Sequence, residues 1–491
     1  MEPLVISDWS QGIGPSPLLG FGDVRNVDIS STPGAVRINN LTVKTSASLV
    51  TSTINWMVKN PATPAEVYAL DAAGVVYKST NSGVTWAILT GNTQTSAHGN
   101  GLAIWNNYLI VARDAFLDVC GDGSATGITA GNWSNSWKAI TSDVLWHPML
   151  SSKIDSKLYV GAGQYIASLE ELTTFAPGSS GTYTWTAQAL DLPENYRIKC
   201  LADLGSSLMI GTWQGTNIYD LRVADLFSWD RSSPTYGTPL ILNEFGIHSL
   251  TTIGSVVWMQ AGIEGKVYVT DGVSATVVAQ VPNTLVPLDG GAFFNPMPGG
   301  AMHFKSRFFF GLNPGAETLN LAGVWSIDTA TTGPRLVYEH TISTTNDGSA
   351  VKVRIGALLP TTRDACLIGW QDDTSYGIDK TTNLLRYTTY QARVDSPLYP
   401  VGTQLNKRLF REGEFQLTEP LATDQGIRIK YRTNLSDSFT TIGTYDYSTL
   451  GAVNTHQFVP GISVCEFVQI RVELTTGESN ETPELRSITL R

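Results

Sequence analysis

Val75-Val76-Tyr77-Lys78-Ser79-Thr80-Asn81-Ser82-Gly83-Val84-Thr85-Trp86 is the stretch that decides how this chain folds. It opens on a short strand-forming run and ends on a tryptophan. Between them lie small polar residues around one glycine. Gly83 permits a tight turn, and the side chains of Ser79, Asn81 and Thr85 can bond the turn's own backbone. Trp86 is large enough to pack between strands. The stretch predicts a β-hairpin with the tryptophan locked under its return strand.

The same kind of unit recurs along the chain. Ile54 to Val58, Val67 to Leu70, Val75 to Lys78 and Trp86 to Leu89 make one set of short runs. Others begin near Leu102, Leu145, Ile198, Ile247, Met302 and Val353. The starts lie roughly 40–55 residues apart, the period of four-stranded propeller blades. The repeated phrase is apolar strand, polar turn, apolar strand ending in a small residue, as in "IKCLADLGSSLMIGT" and "MHFKSRFFFGL". Small residues let neighbouring backbones crowd near an axis. The hairpin of Ser79, Asn81, Gly83, Thr85 and Trp86 also resembles the Asp-box of sialidase-like propellers, with Asn81 standing for the Asp. That box is a structural turn and lies away from the sialidase active site. Helical periodicity is scarce: only Ser168 to Leu172 and Arg222 to Phe227 read as single helical turns.

The chain is therefore expected to be all-β, a β-propeller of about seven blades followed by a small C-terminal β-sandwich. Residues 1–50 read as an extended arm, with a strand near Ala35 to Ile38 completing the last blade. Residues 51–397 read as the propeller and 398–491 as the sandwich, with the break in "DSPLYPVG" at Asp395 to Gly402. In "IRIKYR" and "FVQIRVEL" apolar and charged residues alternate strictly, the pattern of strands with one buried face. The composition agrees: 46 Gly and 13 Trp in 491 residues, and only 15% charged residues, suit short strands and tight turns.

Chemistry is sparse. The four cysteines, Cys120, Cys200, Cys366 and Cys465, form no C-x-x-C pair and read as buried small apolar residues. His98, His147, His248, His303, His340 and His456 lack metal-ligand spacing. No P-loop, nucleophile elbow or H-E-x-x-H occurs, so no catalytic residue, cofactor or metal is assigned. "GDGS" at Gly121 to Ser124 and "WQDDTS" at Trp370 to Ser375 read as solvated turns. Arg113, Arg197, Arg307 and Arg354 are candidates for a sialidase-like arginine set, but a glycosidase also needs a convergent carboxylate pair, which the spacing does not supply. Trp133 and Trp137, in the polar loop-like "NWSNSW", are candidate binding aromatics for a sugar or partner. The other reading is that they plug seams between blades. A net charge of −11 argues against a broad duplex-DNA or anionic-membrane surface. The amino terminus has no basic and apolar leader, and no apolar run reaches membrane-spanning length.

The opening Gly12-Ile13-Gly14 … Gly20-Phe21-Gly22-Asp23-Val24-Arg25-Asn26-Val27-Asp28 … Pro33-Gly34-Ala35 … Asn39-Asn40 resembles the start of tail proteins of tailed bacteriophages. The ending "YRTNLSDSFTTIGTYDY … CEFVQIRVELTT … PELRSITLR" is similar to the terminal sandwich of phage virion proteins. The layout is similar to the tail nozzle of short-tailed phages. The resemblance implies a non-enzymatic structural virion protein, made in the host cytoplasm and built into the tail as a sixfold ring of its own copies around the DNA exit channel. It implies contacts with other tail proteins (adaptor, fibres or spikes), and phage DNA sliding past without sequence-specific binding. An acidic lumen would repel phosphates, and most of the −11 lies ahead of residue 402. Two other readings stay open: a receptor- or host-glycan-binding tail protein on the same scaffold, and a sialidase-like glycosidase.

Overall fold

The computed structural model describes residues 2–14, 18, 20–92, 98–141, 146–174, 182–214, 223–282, 294–313, 322–329, 335–345, 353–388, 390–477 and 481–491. Among them, seven four-stranded antiparallel units follow one another. Blade 1 is Ile54–Lys59, Val67–Asp71, Val76–Ser79 and Ala87–Ile88. Blade 2 is Gly101–Trp105, Tyr108–Arg113, Phe116–Cys120 and Trp133–Ala139. Blade 3 is Met149–Ser151, Leu158–Ala162, Tyr165–Thr174 and Thr182–Asp191. Blade 4 is Tyr196–Leu204, Ser207–Gln214, Val223–Trp229 and Leu240–Phe245. Blade 5 is Ile247–Ile253, Val256–Ala261, Lys266–Thr270 and Ala275–Gln280. Blade 6 is Ala301–Phe304, Arg307–Leu312, Gly323–Asp328 and Leu336–His340.

Blade 7 takes three strands from Val353–Pro360, Cys366–Asp372 and Ser375–Arg386 and its fourth from Asn40–Lys44. The first strands of successive blades neighbour each other in order, and the first strand of blade 7 meets that of blade 1. The ring is thus closed by a strand from the amino-terminal arm. That strand is Asn40–Lys44 rather than Ala35 to Ile38. Arg37–Ile38 instead pairs with Val27–Asp28 in a small hairpin.

The recurring small residue has a clear job. A side chain at Gly161 of blade 3 would sit 2.8 Å from Ile198 of blade 4. At Gly211 of blade 4 it would meet Ile247 of blade 5 at the same distance. Gly311 of blade 6 and Gly369 of blade 7 stand in the same relation to Ile355 and Ile54. Each isoleucine precedes a register shift in the innermost strand of its blade. The bulge pushes the isoleucine onto the neighbouring blade, and glycine makes room for it. Apolar clusters fill the seams: Leu70, Leu102 and Val111 between blades 1 and 2, and Met302, Ile355 and Trp370 between blades 6 and 7. Each fully buried side chain of this size contributes roughly 1.5–3 kcal/mol, so the seams bind the ring.

The last domain is a sandwich of two sheets. One runs Leu4–Ile6, Leu485–Leu490, Gly413–Leu417, Thr455–Phe458. The other runs Asp23–Arg25, Ala392–Asp395, Phe467–Thr476, Gln425–Arg432, Thr440–Asp446. Sheet pairing crosses the divisions read at residues 50 and 397: two strands come from the arm, and one lies ahead of the proline-rich break. Asp23–Arg25 also bridges in parallel to Tyr338, so blade 6 and this second sheet are continuous.

The two stretches read as helical turns are strand. Ser168 to Leu172 lies in Tyr165–Thr174, and the described part of Arg222 to Phe227 lies in Val223–Trp229. Ladder partners on both sides overrode a weak local helical pattern. Leu145, named as a unit start, lies outside the described residues.

Candidate functional site

Three stretches distant in sequence meet where blades 6 and 7 face the amino-terminal hairpin. In the hairpin, the Asp28 carboxylate accepts hydrogen bonds from the backbone N–H groups of Ser30 and Ser31, both at 2.9 Å. This Asx-type turn orients the chain toward Arg37, which returns to pair with Asp28 at 3.1 Å and with Glu484 at 3.6 Å. From blade 6 comes the two-residue turn Lys305-Ser306. Both residues have positive φ, 50° and 58°, a conformation that usually selects Asn or Gly. From blade 7 come the turn at Thr362 to Asp364 and Arg386. Ladder pairing jumps from Thr382↔Leu41 to Arg386↔Asn40, so Asn383, Leu384 and Leu385 are extruded. Such excursions re-aim the side chains that follow them.

Together these elements line a cleft of about 740 Å³. A smaller cleft of about 320 Å³ shares Arg37 and Arg386 and is walled by Glu419, Glu481 and Glu484 of the sandwich. The larger cleft is rich in cations. Two are engaged: Arg37 as above, and Arg307, which donates to the Ser326 hydroxyl at 2.7 Å and pairs with Glu339 at 3.3 Å. Burial opposes the charge on Asp28, but the Ser31 hydrogen bonds and Arg37 hold its carboxyl well below the usual range. Burial, with Arg37 adding repulsion, lowers Arg386 from its ordinary value. The Nε and Nη1 atoms of Arg386 have no hydrogen-bond partner. His340 lies buried behind the cleft, and burial with the Lys305 charge pushes it down to about 3, so it is neutral.

The hairpin of blade 1 forms a tight polar cage. The Ser79 hydroxyl donates to Asn81 Oδ1 at 2.9 Å and accepts from the Gly83 N–H at 2.9 Å. Asn81 Oδ1 also accepts from the N–H groups of Val84 and Thr85, and Asn81 Nδ2 donates to the Thr85 hydroxyl at 2.8 Å. Gly83 has φ +80°, and a Cβ there would collide with Leu367 of blade 7 at 2.5 Å. Trp86 Nε1 donates to the Thr45 hydroxyl at 3.1 Å, and Lys380 Nζ donates to the Ser82 carbonyl at 2.8 Å. The cage fastens blade 1 to blade 7 and to the chain just past the closing strand.

Trp133 and Trp137 are not in a loop. Both lie in the strand Trp133–Ala139, because Val119 and Cys120 pair with it. Trp133 is half-buried, packs against the cluster between blades 1 and 2, and donates Nε1–H to the Thr90 carbonyl at 3.0 Å. Trp137 packs against Tyr183 and Trp185 of blade 3, with ring centroids 5.6 Å and 6.2 Å away. They occupy seams.

Two of the four arginines pair with separate carboxylates, each within its own blade. Arg113 pairs with Asp118 at 3.0 Å within blade 2, Arg307 with Glu339 within blade 6, and Arg354 is exposed. Among the described residues no group of three or more His, Cys, Asp or Glu could hold a metal. Cys120, Cys200, Cys366 and Cys465 are buried free thiols. Among the described residues no helix is long and apolar enough to cross a membrane.

Sequence reading missed the polar residues placed at the bulges. Asn55, Lys199 and His248 sit at the register shifts of blades 1, 4 and 5. Lys199 is fully buried, and its amine donates to His248 Nδ1 at 2.7 Å and to the Pro296 carbonyl at 3.0 Å. Burial lowers Lys199 to about 7. Burial and the Lys199 charge hold His248 well below its ordinary value. Its Nε2, 3.1 Å from the Gly262 carbonyl, is then the protonated nitrogen. The signal was there: a titratable residue inside each of the apolar runs "RIKCL" and "GIHSL".

Ring closure by blades 7 and 1, four strands per blade and a two-sheet terminal domain define a seven-bladed β-propeller protein with a C-terminal β-sandwich. No family model and no curated protein matches the sequence. The solved structures that the chain is similar to include β-propeller domains of low identity. YCF48 from Cyanidioschyzon merolae is 10% identical over 70% of this chain and 98% of its own, with a TM-score of 0.45. A structure of YCF48 bound to D1 peptide is 14% identical over 75% of this chain and 100% of its own, also at 0.45. The β-propeller domain of Cps50 (Swd1) from Myceliophteria thermophila is 9% identical over 70% and 100%, again at 0.45.

Proposed function

We propose that this chain is a structural subunit of the virion of a tailed bacteriophage, a tail-nozzle protein that forms a ring around the DNA exit channel. The observation that carries the reading is the position of the phage-like phrase. Ile13 N–H donates to the Leu336 carbonyl of blade 6 at 2.7 Å. Gly22 N–H donates to the Asp395 carbonyl of the sandwich at 2.9 Å, and Asn26 N–H to the Tyr338 carbonyl at 2.9 Å. Gly12 has φ +66°, and a Cβ there would lie 2.8 Å from the Arg335–Leu336 backbone. The phrase is thus the clamp between propeller and sandwich, and its residue types follow from that task. A protein whose distinguishing motif fixes the relative orientation of two domains is suited to assembly, in which a fixed shape must repeat about an axis.

In this proposal the chain has no catalytic role and binds copies of itself through heterologous contacts in a sixfold ring. It meets adaptor and fibre or spike proteins above and below. DNA passes an acidic lumen without sticking. The test is electron-microscope imaging of the purified protein with mass measurement in solution. The expected result is a ring with an axial channel. A stable monomer that binds host glycans saturably would overturn it in favour of a receptor-binding role.

A further inference from the structure

The cleft between the amino-terminal hairpin and blades 6 and 7 holds more positive charge than its own structure uses. Lys305, Arg363 and Arg386 line it, and among the described residues no ion pair or side-chain hydrogen bond engages any of the three. Asp28 and Asp328 line it too, but Asp28 is taken by Arg37 at 3.1 Å and Asp328 pairs with Arg335 at 3.7 Å. Asp28 still acts on Arg386 at longer range, and Asp364 also lines the cleft. This is an excess of cations in a protein of net charge −11.

Two backbone devices converge on the same place. The Lys305-Ser306 turn holds two non-glycine residues at positive φ. The three-residue excursion before Arg386 breaks an otherwise regular ladder. Both cost stability locally, and such costs cluster where a side chain must be aimed. The Nε and Nη1 atoms of Arg386 are out of water and without a partner, a state that costs free energy unless a ligand supplies the acceptor.

We propose that this cleft is an oxyanion site for a phosphate group carried by a ligand of sugar size. Three cationic heads with the Ser306 hydroxyl around one space suit a tetrahedral, doubly charged group, while the Ser30 hydroxyl is held by Asp28 at 3.1 Å. Arginine in particular presents paired N–H donors to phosphate oxygens. The cavity, at about 740 Å³, is several times larger than a free phosphate needs, and its polar walls suit a hydroxylated body. The site is built within one chain and does not depend on the ring proposal.

Calorimetric titration of the full chain with inorganic phosphate, glucose 6-phosphate, glucose and a single-stranded oligothymidylate tests it. Saturable binding of glucose 6-phosphate, with none of glucose, is expected. A Lys305→Ala/Arg363→Ala double variant changes two exposed turn residues and keeps the fold, which circular dichroism would check. It should bind glucose 6-phosphate about tenfold more weakly or worse. Arg386→Lys keeps the charge but loses the paired donors, and should weaken binding as well. Stronger binding of phosphate alone than of glucose 6-phosphate would reject the sugar-sized ligand. Binding of the oligothymidylate but not the sugar phosphate, no saturable binding at millimolar ligand, or binding unchanged in the double variant would overturn the proposal.

Discussion

Lys199 shows how one residue sets a pH dependence. It is fully buried between Trp146, Trp213, His248 and Asn295. Its amine titrates near 7 in the fold, against about 10.4 in an unfolded chain. Between these values the unfolded state binds more protons, so stability rises with pH. Below 7 both states are protonated and the full cost of burying the charge remains. His248 adds a second slope: depressed in the fold, it costs stability as pH falls through about 6.5, its unfolded value. The denaturation midpoint should therefore climb from pH 7 to 9.5, with up to about 3 kcal/mol from Lys199. Lys199→Met should remove that climb and match or exceed the wild-type stability at pH 7. Urea titrations of both proteins at the two pH values measure this. A Met variant that keeps the climb would place its origin elsewhere.

At the scale of the element, the seam between blades explains why the repeat was legible. The phrase "strand, turn, strand ending in a small residue" is the amino-acid trace of an isoleucine docking on a glycine one blade away. Gly161→Ala, Gly211→Ala and Gly311→Ala should each cost about 1–3 kcal/mol by overpacking. Gly131→Ala, where a Cβ meets nothing within 4 Å, should change little. Thermal melting of the four variants separates the seam from the general cost of replacing glycine. Strand positions in the sandwich were legible for a related reason: "IRIKYR" and "FVQIRVEL" alternate, and Arg428, Lys430, Arg471 and Glu473 do lie on the opposite face from Ile427, Ile429, Ile470 and Val472. That charged face is not simply solvated. Glu473 takes Arg428 and Lys430, and Asp395 takes Arg471. What stayed illegible is what depends on distant partners. "SLEEL" has a helical look, but its neighbours are the strands at 158–162 and 182–191. The cleft gathers residues near 30, 305, 363 and 386, and nothing local in any of the four stretches announces the others.

The whole molecule is tied together by its first residues. Leu4 to Ile6 pair with Ile488 to Leu490, and Trp9 Nε1 donates to the Arg486 carbonyl at 2.6 Å across 477 positions of sequence. Asp23 carries the link further. Burial works against its charge, but Arg25 and Arg393 hold it well below the usual carboxylate range. One apolar cluster runs from Trp258 of blade 5 through Phe308 and Tyr338 of blade 6 to Val24, Val394 and Ile427 of the sandwich, and it includes Trp9. A core shared in this way couples the unfolding of its parts, since neither domain can expose its half without stripping the other. Trp9→Ala removes a fully buried ring that packs on Phe21 at 6.1 Å, a change costing about 3–5 kcal/mol. Scanning calorimetry of the wild type should show the sandwich and blade 6 melting in one transition, and Trp9→Ala should lower that transition without splitting it. A low-temperature peak for the sandwich, with the propeller peak unmoved, would show that the arm stabilises only the domain it pairs with. Coupled melting would mean that residues 4–26 do for the two domains what Asn40–Lys44 does for the ring: each closes a structure that the rest of the chain leaves open.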